Sequence, residues 1–500
     1  MDQTSAGGGV RFVWWVILGG ASVALLTASF PLWNLPTWWF CFAPLLWLWG
    51  TGSDSVSGYR VAVEAFVIGF IISWLPTAFM REVVPAGGCY LQAAFCLFYA
   101  LQMIALAFAI RFFRGKPVMI SALCLSATAM LAEILQYRFG LAWPVTAICL
   151  PVASTPLAQW AAVITPFGVS GLLYLINFLL VIDPTKQGLM KWRGPGAALL
   201  LFVCAWSGGL LISRAVVVTP LPFSAILVQP HLVHSEGENW TGWRDLDRLT
   251  DEALSNTSPV DLIIWPEACL SLSKMPEGSF TPISSPRSLN AAVFSVQDFA
   301  QILLPKYQTS CLVGVPLSQR RMITRYGLEM PESRLFNSAC LISPEGKVSV
   351  YSKRLLVPVK EGLPDWLDTA FVRQKMKSLF GWNPRLSAGE NFHLLDLKTK
   401  NDKTKKLAVA VCYELFLPGL PQYRQTSGAD AVVYLMYDGI IADHPAWSQR
   451  LLQACRYRAI ESRKWNLCCT TWAGSAIIDA RGNVVNQLES VGIGCRSFTS

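Results

Sequence analysis

Residues 407–419 read LAVAVCYELFLPG, an apolar run that ends in Cys412 and is followed at once by Tyr413 and Glu414. The run is typical of a buried strand, and the Pro and Gly that follow indicate a turn. A cysteine at such a place is most often a small core residue, and this chain has 14 cysteines. A thiol beside a carboxylate at a strand end also suits a catalytic nucleophile, so the rest of the chain must decide between these interpretations.

Strand-like runs of the same kind recur through the second half of the chain. Bounded by Gly, Pro or polar turns, they include FSAILVQP, DLIIWPE, SCLVGVP, FNSACLIS, DAVVYLM and LCCTTWA. Amphipathic segments of helical length lie between several of them, at 240–256, 288–305 and 445–464. This alternation predicts an α/β domain in which helices cover the sheets.

The two halves of the chain differ in composition. Residues 1–219 hold 11 Lys and Arg and 6 Asp and Glu, whereas residues 220–500 hold 30 and 26. We therefore predict a helical membrane domain over 1–219 and a domain of soluble type over 220–500. The net charge of +9 suits an anionic membrane surface, and the basic residues form no stripe that would indicate nucleic-acid binding.

The first half contains apolar segments long enough to cross a bilayer. We predict about seven crossings, of which the second is short and interrupted by proline: 12–30, 34–50, 61–80, 88–110, 117–137, 160–182 and 195–217. With a cytoplasmic N-terminus, the Lys and Arg residues concentrate in the inner loops, as the positive-inside rule requires. Seven crossings then place the second half outside the cytoplasm, and an even number would reverse this orientation.

Three strand-end motifs occur in the order carboxylate, amine and thiol. Glu267 follows IIWP, Lys353 lies in VYSKR with Glu361 eight positions later, and Cys412 ends LAVAVC. Each is weak alone, because such residues are usually solvated or part of the core. Together they supply what acyl transfer needs: a thiol, a base to remove its proton, and a cation for the negative charge on the attacked carbonyl.

The WPE, YSK and CYE motifs resemble those of the nitrilase (carbon–nitrogen hydrolase) superfamily. The first half of the chain resembles the apolipoprotein N-acyltransferase branch of that superfamily. Three segments of the second half also resemble this branch: KRLLVPVKE, CYELFLPGLPQY and CRYRAIESRKW. The resemblance implies a four-layer α–β–β–α sandwich, with Glu267 as base, Lys353 as oxyanion stabiliser and Cys412 as nucleophile. It also implies supporting roles for several further residues and substrate or lipid contact for one tryptophan, namely Glu361, Tyr413, Glu414 and Trp240.

The resemblance further implies a function. We expect a membrane acyltransferase that moves a fatty acyl group from a phospholipid, through a thioester on Cys412, to an amine such as the N-terminal cysteine of a lipoprotein. The expected location is the bacterial inner membrane, with the second domain on the periplasmic side. No cofactor or metal is expected, since the four His residues of the chain, including His231 and His234, form no metal-binding pattern.

Some features depart from that branch. The branch ends in a further membrane helix, whereas the printed chain ends at GIGCRSFTS, and its HLVPFGE element reads LLVPVKE at 355–361. Shorter relatives of the conjugal-transfer TraB type share such features. A protein acting on another acceptor or amide, or a non-catalytic membrane assembly factor, is therefore the alternative. Residues 362–382 predict an amphipathic helix that lies on a membrane surface or covers a core.

Overall fold

The computed structural model of the chain divides into two compact units, Met1–Ala215 and Val216–Ser500, which we call unit 1 and unit 2. Each unit is described by itself. The structure describes these residues: 3–29, 37–38, 40–45, 49, 57–74, 77–78, 81, 88–113, 116–138, 147–180, 192–230, 242–270, 273–274, 295–325, 328–358, 360–363, 367–380, 386–416, 427–439, 447–472, 474–488 and 494–498.

Unit 1 is helical throughout its described residues. The helices are α1 (Gln3–Ser29), α2 (Gly58–Trp74), α3 (Gly88–Phe113), α4 (Val118–Arg138), α5 (Ala161–Leu179) and α6 (Arg193–Ala215), with 3-10 turns at Leu150–Val152 and Pro156–Trp160. Helix α5 is kinked where Pro166 lacks an N–H and Thr165 adopts a φ of 65°. Its apolar residues continue on both sides of the kink.

Within the described residues, four helical stretches are long and apolar enough to cross a membrane: Gly88–Phe113, Val118–Tyr137, Pro156–Leu179 and Arg193–Ala215. Val13–Thr27 is also apolar but shorter. The predicted crossing at 34–50 is described only in part. The number of seven crossings therefore stays a prediction, while the apolar helices fit a membrane protein.

Unit 2 contains two sheets in its described part. The first has the order β13-β1-β2-β4-β5-β6, and β3 also pairs with β4. Its strands are β1 (Ala225–Gln229), β2 (Leu262–Ile264), β3 (Ser273–Lys274), β4 (Ser310–Arg325), β5 (Leu328–Ile342), β6 (Val348–Ser352) and β13 (Gly494–Phe498).

The second sheet has the order β12-β11-β10-β9-β8-β7. Its strands are β7 (Leu395–Lys398), β8 (Thr404–Val411), β9 (Ala431–Met436), β10 (Trp465–Thr470), β11 (Ala476–Ile478) and β12 (Val484–Gln487). The β8, β9 and β10 strands are parallel to one another. Such strands are buried on both faces, which explains their near-continuous apolar sequences.

Helices complete the layers of unit 2. They are α7 (Gly242–Ser255), α8 (Val296–Asp298), which continues through a π-helical turn (Phe299–Leu303) into α9 (Leu304–Tyr307), α10 (Ala370–Phe380) and α11 (Trp447–Ser462). One apolar core packs α7 and the α8–α9 region onto the first sheet, and a second core lies between the two sheets. With α11 packed against the second sheet, this confirms the predicted four-layer α–β–β–α fold.

Strand direction brings the ends of three strands towards one region. Strands β2 and β4 are parallel, while β5 is antiparallel to both β4 and β6, so β6 runs in the same direction as β2. The carboxyl ends of β2 and β6 therefore lie at the same edge of the first sheet. The residues that follow these strands, and those that follow β8 in the second sheet, are the predicted site residues.

Candidate active site

Glu267 lies just past β2, where the chain is held close to β4. Trp265 is fully buried and donates from its indole to the Thr250 hydroxyl at 3.0 Å. A Cβ on Gly314 of β4 would lie only 2.5 Å from the Glu267 Cα, so only glycine permits this approach. The next residue, Ala268, has a φ of 53°, a left-handed conformation that costs energy outside glycine. The backbone thus aims Glu267 into the space between the sheets.

The Glu267 carboxylate is buried and receives hydrogen bonds from both sheets. The Asn337 amide of β5 donates to Oε1 at 2.6 Å, and the Tyr437 backbone N–H, just past β9, donates to Oε2 at 2.6 Å. Burial raises the pKa of Glu267, although the Lys353 ammonium and the Asn337 amide oppose that rise. The carboxylate is therefore fixed in position and is a stronger base than a solvated glutamate.

Lys353 follows β6 directly and is fully buried, with 0% of the residue exposed. Its backbone N–H donates to the Asn337 carbonyl at 2.8 Å, and its Nζ lies 2.9 and 2.7 Å from the two carboxylate oxygens of Glu361. Burial alone would lower the pKa of Lys353. The charges on Glu361, Glu267 and a Cys412 thiolate outweigh burial and raise that pKa, so the group remains a cation.

Cys412 begins the 3-10 turn Cys412–Phe416 at the end of β8. Its φ is 54°, so the nucleophile candidate also occupies a left-handed conformation. The residue is half-buried, and its thiol lies close enough to the Glu267 carboxylate for each group to shift the pKa of the other. Burial, and then the Glu267 charge, raise the pKa of the Cys412 thiol, whereas Lys353 lowers it. At neutral pH Cys412 therefore rests as a thiol.

Glu414 joins the Cys412 turn to the segment that follows β6. Its Oε1 accepts from the Arg354 and Leu355 backbone N–H groups at 2.9 and 3.2 Å, and its Oε2 accepts from that of Val411 at 2.8 Å. The Tyr351 hydroxyl also donates to Oε1 at 2.9 Å. Through these hydrogen bonds, the buried Glu414 side chain holds the segment after Lys353 next to the turn that begins at Cys412.

The remaining predicted residues have different positions. Glu361 accepts from the Val357 backbone N–H at 2.7 Å in addition to binding Lys353. Tyr413 is buried in the turn after Cys412. Trp240, together with His231 and His234, lies outside the described residues. The structure thus brings Glu267, Lys353 and Cys412 together with three of the four supporting residues.

Two residues of the site are absent from the sequence-based set. Asn337 binds the Glu267 carboxylate through its side chain and the Lys353 N–H through its backbone carbonyl. The only sequence feature that could have identified it is an amide side chain within the apolar run FNSACLIS. Tyr437 acts through its backbone N–H, which leaves no trace in a sequence. Across the described ranges, no group of three or more His, Cys, Asp or Glu side chains could hold a metal ion.

Comparisons with known proteins agree with this architecture. The carbon-nitrogen hydrolase family model matches residues 226–493, and that of the apolipoprotein N-acyltransferase N-terminal domain matches residues 22–179. A solved structure with some likeness is Saccharomyces cerevisiae Nit3, a member of branch 10 of the nitrilase superfamily. It shares 16% identity, with 55% of this chain and 88% of that chain covered and a TM-score of 0.35.

Two curated relatives carry the same name. Apolipoprotein N-acyltransferase 2 of Treponema denticola is 25% identical over 247 residues, which cover 48% of this chain and 42% of that protein. The apolipoprotein N-acyltransferase of Borreliella burgdorferi is 24% identical over 258 residues, covering 51% and 44%. The chain thus matches less than half of each relative's length. Because the carbon-nitrogen hydrolase match spans more than half of the chain and includes Glu267, Lys353 and Cys412, the chain belongs to the carbon-nitrogen hydrolase family.

Proposed function

We propose that this protein is a membrane acyltransferase in which Cys412 is the nucleophile, Glu267 the general base and Lys353 the cation that stabilises the oxyanion. The observation that carries the proposal is the convergence of these three side chains at one place between the sheets. The Cys412 thiol, the buried Glu267 carboxylate and the buried Lys353 ammonium each shift the pKa of the other two. This set is sufficient for acyl transfer through a thioester.

In the first half-reaction, the Cys412 sulfur attacks the ester carbonyl of a phospholipid while its proton passes to Glu267. The negative charge that develops on the carbonyl oxygen is stabilised by Lys353. The ester C–O bond then breaks, and Glu267 returns the proton to the departing lysolipid oxygen. The products are a thioester on Cys412 and a lysophospholipid, so atoms and charge balance.

In the second half-reaction, an amine attacks the thioester carbonyl. Glu267 accepts a proton from the attacking nitrogen, the C–S bond breaks, and the proton passes to the sulfur. The product is an amide, and Cys412 is again a thiol. We propose that the amine is the N-terminal cysteine of a lipoprotein, because the relatives that match the chain are named apolipoprotein N-acyltransferases.

Lys353 is suited to the oxyanion role by the way it is held. An ammonium has three N–H donors, and its measured contacts are with the Glu361 carboxylate. Glu361 in turn is fixed by the Val357 backbone N–H. The ammonium is thus held rigidly and can donate to a newly formed oxyanion without reorganising, which is the property that such sites require.

A lipid donor is supported by the apolar helices of unit 1 and by α10. On α10, Phe371 is 69% exposed and lies beneath the Lys375 ammonium, whose Nζ is 5.8 Å from the ring centroid. Exposed aromatic and basic side chains on one helix favour contact with a membrane surface. We propose the bacterial inner membrane as the location, with unit 2 on its periplasmic side.

The proposal predicts a fatty acyl adduct on Cys412. Purified protein is incubated with phospholipid and no amine, and peptides are examined by mass spectrometry with and without hydroxylamine, which cleaves thioesters. We expect a hydroxylamine-sensitive acyl group on the 412 peptide, and its disappearance in Cys412→Ala. If the unsubstituted protein carries no adduct and the phospholipid donor releases no lysolipid, the proposal is overturned.

A second candidate is amide hydrolysis, which the carbon-nitrogen hydrolase match favours. In that case water rather than an amine resolves the thioester, and the donor is an amide rather than a phospholipid. Supplying a short diacylglyceryl-cysteine peptide separates the two: transfer gives an N-acylated peptide, while hydrolysis gives free acid. A non-catalytic assembly factor predicts instead that Cys412→Ala retains full activity in cells.

A further inference from the structure

The Tyr437 backbone N–H that binds Glu267 lies just beyond the end of a strand. Pairing between the parallel strands β9 and β10 ends at Met436 and Thr470. The pairing of these strands therefore does not fix the Tyr437 N–H, although this group donates to Glu267 Oε2 at 2.6 Å. Other contacts must hold it in place, since a hydrogen bond of that length tolerates little displacement.

Asp438 and Thr471 supply such contacts, because their side chains join the two strand ends. The Thr471 hydroxyl donates to Asp438 Oδ1 at 2.9 Å and accepts from the Asp438 backbone N–H at 3.1 Å. The Gly439 N–H also donates to this hydroxyl, at 3.3 Å. Asp438 Oδ1 accepts in addition from the Trp472 N–H at 2.8 Å. We refer to these two side chains as the Asp438–Thr471 pair.

The Asp438–Thr471 pair is buried and is anchored to the first sheet. Its two residues are 1% and 0% exposed, so water does not compete for their hydrogen bonds. Gln229, the last residue of β1, donates from Nε2 to the Trp472 carbonyl at 3.0 Å, and its Oε1 accepts from the Ser475 N–H at 2.9 Å. The turn after β10 is therefore fixed to β1, which pairs with β2 in the sheet that carries Glu267.

The contact between Glu267 and Tyr437 spans the two sheets, because Glu267 follows β2 and Tyr437 follows β9. The core between the sheets is apolar, and apolar burial is not directional. Such packing holds the sheets together without setting the distance between one donor and one acceptor. Directional hydrogen bonds around a reactive group set that distance, which is how a supporting shell orients a catalytic side chain.

We propose that Asp438 and Thr471 are positioning residues for the general base, and that they hold the Tyr437 N–H on the Glu267 carboxylate. The inference rests on the proposed role of Glu267 and deepens it. The role requires no contact between either side chain and the substrate, and no bond to them forms or breaks. Its effect is to keep the carboxylate oriented towards the Cys412 thiol while a proton is exchanged.

Loss of the Asp438–Thr471 pair should change both the proton affinity and the position of Glu267. An N–H that donates to a carboxylate stabilises its charged form and so lowers its pKa. Burial raises the pKa of Glu267, and without the Tyr437 donor this effect is less strongly opposed. The pKa should therefore rise further. A displacement of about 1 Å at a catalytic group can in addition lower the rate about a hundredfold.

The test measures the titration of the Glu267 carboxyl in the full-length protein by infrared spectroscopy, with its band identified by its absence in Glu267→Gln. Thr471→Val keeps the branched shape and removes the hydroxyl. We expect the Glu267 midpoint to rise by about 0.5 to 1 pH unit, and turnover above the midpoint to fall about ten- to hundredfold. The acid limb of the pH–rate profile should rise by the same amount. Thr471→Ser, which keeps the hydroxyl, should stay near the unsubstituted protein.

Asp438→Ala removes the other member of the pair and should also raise the midpoint. The double variant, Asp438→Ala with Thr471→Val, should shift the midpoint no further than the larger single change, because both substitutions break the same contacts. The test leaves unaltered the titratable side chains whose pKa values are linked to that of Glu267, namely Lys353, Lys360, Glu361, Cys412 and Tyr437.

Thr399→Val is the matched control, since it removes a buried hydroxyl from another turn of the second sheet. The Thr399 hydroxyl donates to the Lys403 carbonyl at 3.0 Å and accepts from the Lys403 N–H at 3.2 Å. This turn precedes β8, whereas Cys412 follows it. Thr399→Val should therefore lower the unfolding midpoint and leave the Glu267 titration unchanged.

Thr471→Ala is a second hydroxyl-free variant if Thr471→Val does not fold. The inference is overturned if the Glu267 titration is unchanged in the hydroxyl-free variant, or if Thr399→Val shifts it equally. It is also overturned if Thr471→Ser shifts the titration as far as Thr471→Val does. An infrared shift in a protein that forms no acyl adduct on Cys412 would overturn the proposed acyl transfer and leave the positioning of Glu267 standing.

Discussion

In unit 2, two buried glutamates each lie just after the end of a strand, and they differ in their hydrogen-bond partners. Glu414, after β8, accepts from the Tyr351 hydroxyl and from three backbone N–H groups. Glu267, after β2, accepts from one amide and one backbone N–H, and it also interacts with the Cys412 thiol. Burial raises the pKa of both carboxyl groups.

The difference indicates that burial alone does not identify a base. A carboxylate that accepts from several chain segments and has no reactive neighbour serves to hold those segments together. A carboxylate that also interacts with a thiol can exchange a proton with it. The two glutamates should therefore respond differently to the same isosteric substitution, and the following variants test that difference.

Glu267→Gln should show the largest effect. The amide retains most of the shape but cannot accept the Cys412 proton, so we expect acyl transfer to fall by about a thousandfold or more. The thermal unfolding midpoint should also fall, because the amide NH₂ faces one of the two donors, Asn337 or the Tyr437 N–H, but turnover should be lost even at temperatures where the variant is folded. Turnover of the purified variant and its unfolding curve are the measurements. A loss below tenfold would assign the base to another group.

Glu414→Gln should show the opposite pattern. Replacing one oxygen by an amide NH₂ places it against N–H donors, and the expected cost is about 2–4 kcal/mol, a fall of several degrees in the unfolding midpoint. Activity should be lost mainly through unfolding at assay temperature. Low activity with an unchanged midpoint would show that Glu414 takes part in the reaction itself.

The raised pKa of Glu414 predicts the direction in which the stability of the protein changes with pH. A carboxyl whose folded pKa lies above its ordinary value of 4.5 contributes stability at low pH, and that contribution is lost as pH rises through the raised pKa. Unfolding midpoints measured from below pH 4.5 upwards should therefore fall less steeply in Glu414→Gln than in the unsubstituted protein. Equal slopes in the two proteins would contradict the raised pKa.

Gly314→Ala should have an intermediate effect on stability and turnover, because Gly314 packs against the backbone of Glu267. The new Cβ would lie 2.4 Å from the Pro266 carbonyl oxygen and 2.5 Å from the Glu267 Cα, so the backbone that carries the base must move. We expect a cost of about 1–3 kcal/mol and a loss of turnover at temperatures where the variant is folded. Val315→Ala is the matched control, since it creates a small cavity in the same strand and should spare turnover.

Asn337→Ala should have the smallest effect. The Asn337 amide lowers the pKa of Glu267, so removing it should raise that pKa further. Because Glu267 must be ionised to act as a base, the acid limb of the pH–rate profile is expected to move upwards by less than about one pH unit. Ser338→Ala, at the adjacent residue, removes only a hydrogen bond to Ser352 and should leave the limb in place.

The strands and the three strand-end residues could be predicted because their signals are local. An apolar run that stops at Pro or Gly marks a strand end, and WPE, SK and CYE each follow such a run. Of the helix predicted at 288–305, residues 288–294 lie outside the described residues. Ser295 is extended and caps a helix that runs from Val296 through a π-helical turn to Tyr307.

The contacts that fix the site could not be predicted in the same way. Asn337 meets Glu267, 70 residues away, only because β5 pairs with β4 in a particular register. Ala268 and Cys412 adopt left-handed conformations, which are usually found at glycine. These turns therefore could not be predicted from a glycine in the sequence.

The placement of β13 has a consequence for the order in which the molecule matures. This strand comes after every strand of the second sheet in the chain, yet it pairs with β1 in the first sheet. During synthesis, the sheet that carries the base and the cation therefore remains incomplete until residues 494–498 have left the ribosome.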